Sequence, residues 1–297
     1  MPTLPTRSSL PSLASLADAS YGQVTGWLRA LMGFPESAGA TLTSGGSVAN
    51  LLGHAVMRNV RAGVDVRAKG VRAMAAPLRV YASDQVHSCH QKAMEVLGLG
   101  AEALRLIPST PDYRLDLKAL AAAVAEDRAS GWQPASVIGT AGTVNTGAID
   151  DLSAIADFCA AQDLWFHVDG CIGAFLRLSP DHAPMVAGME RADSLALDPH
   201  KWLHAPFEAG CAIVRDRARH RQTFTLHPEY LEVHPRGVAG AEFLFDYGID
   251  LTRGFKALKV WMALKEFGPA RHGRQVAQAI GLARYLADAV QAAPDMV

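Results

Sequence analysis

Charge of either sign is in short supply in this chain. Its 297 residues carry 28 basic and 29 acidic side chains, a formal net charge of −1, and only 19% of the residues are charged. No basic run stands out, so nucleic acid is not expected as a main partner. Cysteine is scarce too. Cys89, Cys159, Cys171 and Cys211 are spaced too widely for a CxxC metal or redox site. Nothing marks a secreted scaffold, so free thiols in a reducing cytoplasm are the expectation. No apolar run approaches the roughly 18 residues that a membrane span requires. The start, MPTLPTRSSLPSLASLADAS, lacks the compact apolar block of a signal peptide. What is abundant is apolar residue, 49% of the chain, enough for a sizeable core and too much for a disordered chain.

The apolar residues alternate between two periods along the chain. Val24, Trp27, Leu28 and Leu31 share one face of a helix over Gln23–Met32. The segment Thr41–Ser47 (TLTSGGS) reads as a tight polar turn before a helix over Ala49–Ala62. Strands are predicted at 78–82, 103–107, 135–139, 164–168, 194–197 and 211–214, and further helices at 87–97, 117–125, 152–162, 254–267 and 274–290. Strands alternating with helices predict an α/β fold, a mainly parallel sheet with helices on both faces. Ligands in such folds bind beyond the carboxyl ends of the strands. His87, Thr143, Asp169 and Lys201 each follow a different predicted strand, which points to one shared site.

Each piece has a bland reading beside the functional one. The Ser44–Ser47 turn (SGGS) is weak evidence alone, and it is no Walker loop because no GK[ST] follows. Leading into a helix, it could offer amides and a hydroxyl to a phosphate. Asp169 ends the apolar run LWFHV, so a carboxylate there needs a cationic or protonated partner to stay ionised. Lys201 is one of only seven lysines and lies in DPHKWLHAP between apolar strands, not on a polar helix face. A lysine so placed suits a Schiff-base nucleophile of lowered pKa.

Five stretches in order, TSGGSVAN, YASDQVHSCHQKA, GTAGTVNTGAID, LWFHVDGCIGAF and ADSLALDPHKWLHAPFEAGC, resemble the motifs of the group II pyridoxal-phosphate-dependent amino acid decarboxylases. The likeness runs from Tyr21 to Phe267. It implies the fold-type I large domain, pyridoxal 5'-phosphate as cofactor, a small L-amino acid as substrate and a homodimer. By the same resemblance Lys201 carries the cofactor as a Schiff base, Asp169 pairs with the pyridine nitrogen and His87 stacks on the ring. Gly46, Ser47 and His200 contact the phosphate, while Thr143 and Cys171 lie near the ring. Tyr230 matches the tyrosine of a catalytic loop.

Two departures stand out. Relatives commonly have a glutamate where Val48 stands, and an aromatic residue where Ile172 stands. The resemblance also implies a division into a helical lead-in over 1–40, shorter than in the family, a cofactor domain over 41–267, and over 268–297 the start of a link to a C-terminal domain. The activity expected is decarboxylation to an amine and CO2. The alternatives are an aldehyde synthase or transaminase-like outcome, or a non-catalytic cofactor-binding paralogue.

Overall fold

A seven-stranded sheet organises the chain in the computed structural model, which describes residues 13–226 and 244–293. The strands are β1 (Gly39–Thr43), β2 (Leu78–Ser83), β3 (Leu104–Ile107), β4 (Gln133–Thr140), β5 (Trp165–Asp169), β6 (Ser194–Leu197) and β7 (Gly210–Val214). Their spatial order is β1-β7-β6-β5-β4-β2-β3. From β3 through β6 every neighbouring pair is parallel, and β7 and β1 add two antiparallel strands at the other edge. The helices are α1 (Leu13–Leu31), α2 (Gly46–Arg61), the short α3 (Val66–Lys69), α4 (Cys89–Val96), α5 (Leu117–Ala129), α6 (Leu152–Gln162), α7 (Arg217–Phe224) and α8 (Lys256–Ala292). The central strands β5 and β6 are buried along their whole length, as expected of a sheet covered on both faces.

Local chemistry sets the helix starts. Asp65, Asp116, Asp151 and Asp216 precede α3, α5, α6 and α7, and each carboxylate accepts from backbone amides of the first turn. The turn expected at Thr41–Ser47 is shorter than the sequence suggests: Thr41–Thr43 belong to β1, and α2 begins at Gly46, not Ala49. The threonines are buried with partners. Thr41 Oγ1 meets the Tyr21 hydroxyl at 2.8 Å and Arg253 Nη1 at 2.7 Å, while Thr43 Oγ1 donates to the Gly45 carbonyl at 3.1 Å. The two helices expected at the C-terminal end are present end to end within α8, separated at Gly268, whose backbone is non-helical with φ 68°, just before Pro269. Among the described residues no helix is long and apolar enough to cross a membrane. All four cysteines are buried free thiols.

Candidate active site

The carboxyl ends of β5 and β6 and the N-terminus of α2 meet at a cavity of about 410 Å³, within the ~300–1,000 Å³ range of small-molecule sites. Lys201 follows β6 in a tight turn, and its Nζ lies 3.1 Å from Asp198 Oδ2. Asp198 is buried, and its other oxygen, Oδ1, has no hydrogen-bond partner. Burial pulls the Lys201 pKa down, but the Asp198 carboxylate in contact with it and the nearby Asp169 outweigh that and leave the lysine raised. That corrects the sequence expectation of a lowered pKa: the apolar strands flank Lys201, yet carboxylates face its ammonium. Burial in turn raises the Asp198 carboxyl, against the pull of Lys201.

Gly46 opens α2 against this cluster. A Cβ there would sit 2.3 Å from Cys171 Sγ and 2.8 Å from Asp198 Oδ2, so only glycine fits. The 16-residue α2 thus begins at the cavity wall with no side chain capping its first turn, and Ser47 is exposed there. Such a helix terminus suits an anion. Across the cavity, Asp169 is buried at the end of β5. Its Oδ1 accepts from the Cys171 amide at 3.2 Å, and its Oδ2 accepts from His90 Nε2 at 2.9 Å. Burial pushes the carboxyl up, but the His90 bond and charge win and hold it well below the usual carboxylate range. His90 is thus the protonated partner that a carboxylate at this position requires.

The other predicted residues divide. His87 lines the cavity from an exposed position, its Nδ1 accepting from the Cys89 amide at 3.1 Å. His200 also lines it; its Nδ1 accepts from the Ala209 amide at 3.0 Å, and its ring stacks on Phe207 with centroids 4.5 Å apart. Cys171 lies in the wall against Gly46, its thiol pushed well up by burial and by Asp169 and Asp198. Thr143 does not face the cavity. It is buried, and its hydroxyl binds Thr146 Oγ1 at 2.7 Å and the Ala148 amide at 3.1 Å, closing the turn after β4, so Thr140 and Gly142 line the wall instead. Tyr230 lies outside the described residues.

Sequence reasoning missed Asp198 and His90. Each had a signal: Asp198 precedes Lys201 by three residues in a turn, and His90 follows His87 by three on a short helix.

An amine, an uncapped helix start and a buried carboxylate around one cavity suit an aldehyde cofactor that bears both a phosphate and a ring nitrogen. The chain belongs to the pyridoxal-dependent decarboxylases: the family's "Pyridoxal-dependent decarboxylase conserved domain" matches residues 19–296. It is similar to an aromatic-L-amino-acid decarboxylase of Bacillus atrophaeus, 39% identical over 257 residues that cover 86% of this chain and 52% of the relative. Among solved structures it resembles mouse CSAD in apo form, with a TM-score of 0.87 and 30% identity over 95% of this chain and 58% of that one. It also resembles Oryza sativa TDC with PLP and tryptamine, with a TM-score of 0.85 and 29% identity over 94% of this chain and 58% of that one. The chain thus spans little more than half the length of these relatives. The family cofactor is pyridoxal phosphate, and the bare α2 terminus and the charged Asp169 fit its two ends.

Proposed function

We propose that this chain decarboxylates an L-amino acid, of the aromatic class, to the corresponding amine and CO2, working as a homodimer. The observation that carries the reading is the convergence of Lys201, Asp169 and the Gly46 turn on one cavity. Similarity to the Bacillus atrophaeus relative and to the rice TDC structure supports the aromatic class. The exposed apolar side chains Leu258 and Met262 on α8, with Phe207 nearby, support a second copy packing there.

When bound, pyridoxal phosphate supplies an aldehyde that condenses with amines and a ring that takes up the electron pair left by CO2. Gly46 and Ser47 would hold its phosphate at the α2 terminus, with His200 beside them. Asp169, kept anionic, is the residue that would accept a hydrogen bond from the ring nitrogen and hold a proton on it. Lys201 is the amine that anchors the group. Its ammonium must lose a proton to react, and Asp198 is the carboxylate in contact with it, 3.1 Å away. His87, exposed at the cavity wall, would lie beside the ring.

The test is to incubate the purified chain with pyridoxal phosphate and a panel of L-amino acids, measuring amine, aldehyde and CO2 together. Amine equal to CO2 with an aromatic substrate supports the reading. Aldehyde in place of amine, or no CO2 from any substrate, overturns it. Borohydride reduction and peptide mapping should put the pyridoxyl group on Lys201, and label on Lys256 or Lys259 would remove Lys201 from its role.

A further inference from the structure

Behind Asp169, on the side away from the cavity, three histidines sit together in the core with no exposure at all. They come from three elements: His54 from α2, His90 from α4 and His167 from β5. His54 Nε2 lies 2.8 Å from His90 Nδ1, and His90 Nε2 lies 2.9 Å from Asp169 Oδ2, so two imidazoles run in line to the carboxylate. His167 is tied elsewhere. The Ser194 hydroxyl is 2.7 Å from its Nδ1, and Asn50 Oδ1 is 2.8 Å from its Nε2. Ring nitrogens of the three lie within 4.8 Å of one another, close enough to suggest a cation site. Yet every one of those nitrogens except His54 Nδ1 already has a hydrogen-bond partner. The pattern is that of a relay.

We propose that His90, backed by His54, is a positioning residue that holds the Asp169 carboxylate anionic and aimed at the ring nitrogen of the cofactor. The inference rests on the cofactor reading above and extends it to two residues that touch neither cofactor nor substrate. Three observations support it. His90 reaches Asp169 through the oxygen that the Cys171 amide leaves free, so the two donors fix the carboxylate plane between them. His54 accepts from His90 through Nε2, which leaves its own Nδ1 buried without a partner, an arrangement that persists only if the chain of imidazoles is worth more than that orphaned atom. The charges around His90 favour a cation there. Asp169 on β5 and the Cys89 thiol on its own helix face it, and His54 and His167 stay neutral, depressed first by burial. Although burial alone would lower it, His90 is raised to about 9 by these bonds. Farther along, Asp198, Lys201 and Cys171 act on Asp169 from the cavity side.

The relay can be tested first without cofactor. Nitrogen-15 NMR of the histidine rings in the cofactor-free chain should show His90 doubly protonated at neutral pH and His54 and His167 neutral. A neutral His90 overturns the proposal. Next, pyridoxal phosphate is titrated into His90→Leu and His90→Gln. His90→Leu removes donor and charge, so affinity should fall about tenfold or more at neutral pH, and fall further as the pH drops and Asp169 takes up a proton. His90→Gln keeps an N–H for Asp169 and should bind within about threefold of wild type at mildly alkaline pH, where the carboxylate ionises without help. Leu and Gln variants that bind alike, or a Leu variant with wild-type affinity and pH profile, would overturn the proposal. Failure of the cofactor reading itself is distinguishable, because the wild-type chain would then show no lysine-bound absorption band.

Discussion

A single methylene decides whether α2 can begin where it does. At Gly46 an added Cβ meets the Cys171 sulfur at 2.3 Å and a buried Asp198 oxygen at 2.8 Å, and neither is the free end of a long side chain. Gly46→Ala should therefore cost about 1–3 kcal/mol by overpacking, a fall in Tm of several degrees by calorimetry. It should also weaken pyridoxal phosphate binding, since the methyl stands at the anion turn. Adding Cys171→Ala removes the nearer clash, and the double variant should recover part of the loss. Equal Tm values for the single and double variants would show that the sulfur is not the obstacle. At Asp169 the prediction concerns chemistry, not packing. Asp169→Asn keeps the size and the Cys171 contact but cannot hold a proton on the ring nitrogen. The cofactor should still attach at Lys201, while turnover falls by about 10²-fold or more. A near-wild-type rate in this variant would take Asp169 out of the reaction.

Elements were legible in the sequence where burial is one-sided or complete, and less so where polar groups are buried with partners. The apolar runs that became β2, β4, β5, β6 and β7 stand out because both faces of the sheet are covered. The edge strand β1 does not, because its threonines read as a turn until Tyr21 and Arg253 are seen to satisfy Thr41. The site shows the same division. Lys201, Asp169 and His87 announce themselves by following apolar strands. His90 and His54 lie within helices and follow no strand, and their meaning appears only when α2, α4 and β5 converge. The break in α8 is partly legible, since Gly268-Pro269 separates the two expected helices. A Cβ at Gly268 would meet nothing, so the cost of Gly268→Ala is backbone strain alone at φ 68°. About 1–3 kcal/mol is expected, with cofactor binding unchanged. A Tm equal to that of wild type would mean that α8 straightens through this point without penalty.

For the whole molecule, the buried histidines set how stability depends on pH. His54, His167 and His220 are all depressed by burial, His167 to about 3 and His220 to about 4. Each is neutral in the fold, yet in the unfolded chain takes a proton below about 6.5. Their stabilising effect is therefore full above that pH and is lost as the pH falls through the window toward their folded values. With three groups acting together the slope is roughly 4 kcal/mol per pH unit near pH 5, enough to unfold a domain of ordinary stability within about two units. His90 has the opposite sign. Its folded pKa of about 9 means that its contribution is complete below about 6.5 and fades as the pH rises toward 9. Asp169, depressed by His90, loses its contribution only below the normal carboxylate range. Asp150 and Asp193, raised by burial, oppose the histidines only near that range. The two histidine effects meet between them, so Tm should peak near pH 6.5–7, fall steeply on the acid side and gently on the alkaline side. His90→Gln should flatten the alkaline limb and leave the acid limb in place, because His54, His167 and His220 are untouched. Calorimetry across that range measures both limbs, and an acid limb no steeper than the alkaline one would mean that these histidines take up protons without unfolding the core.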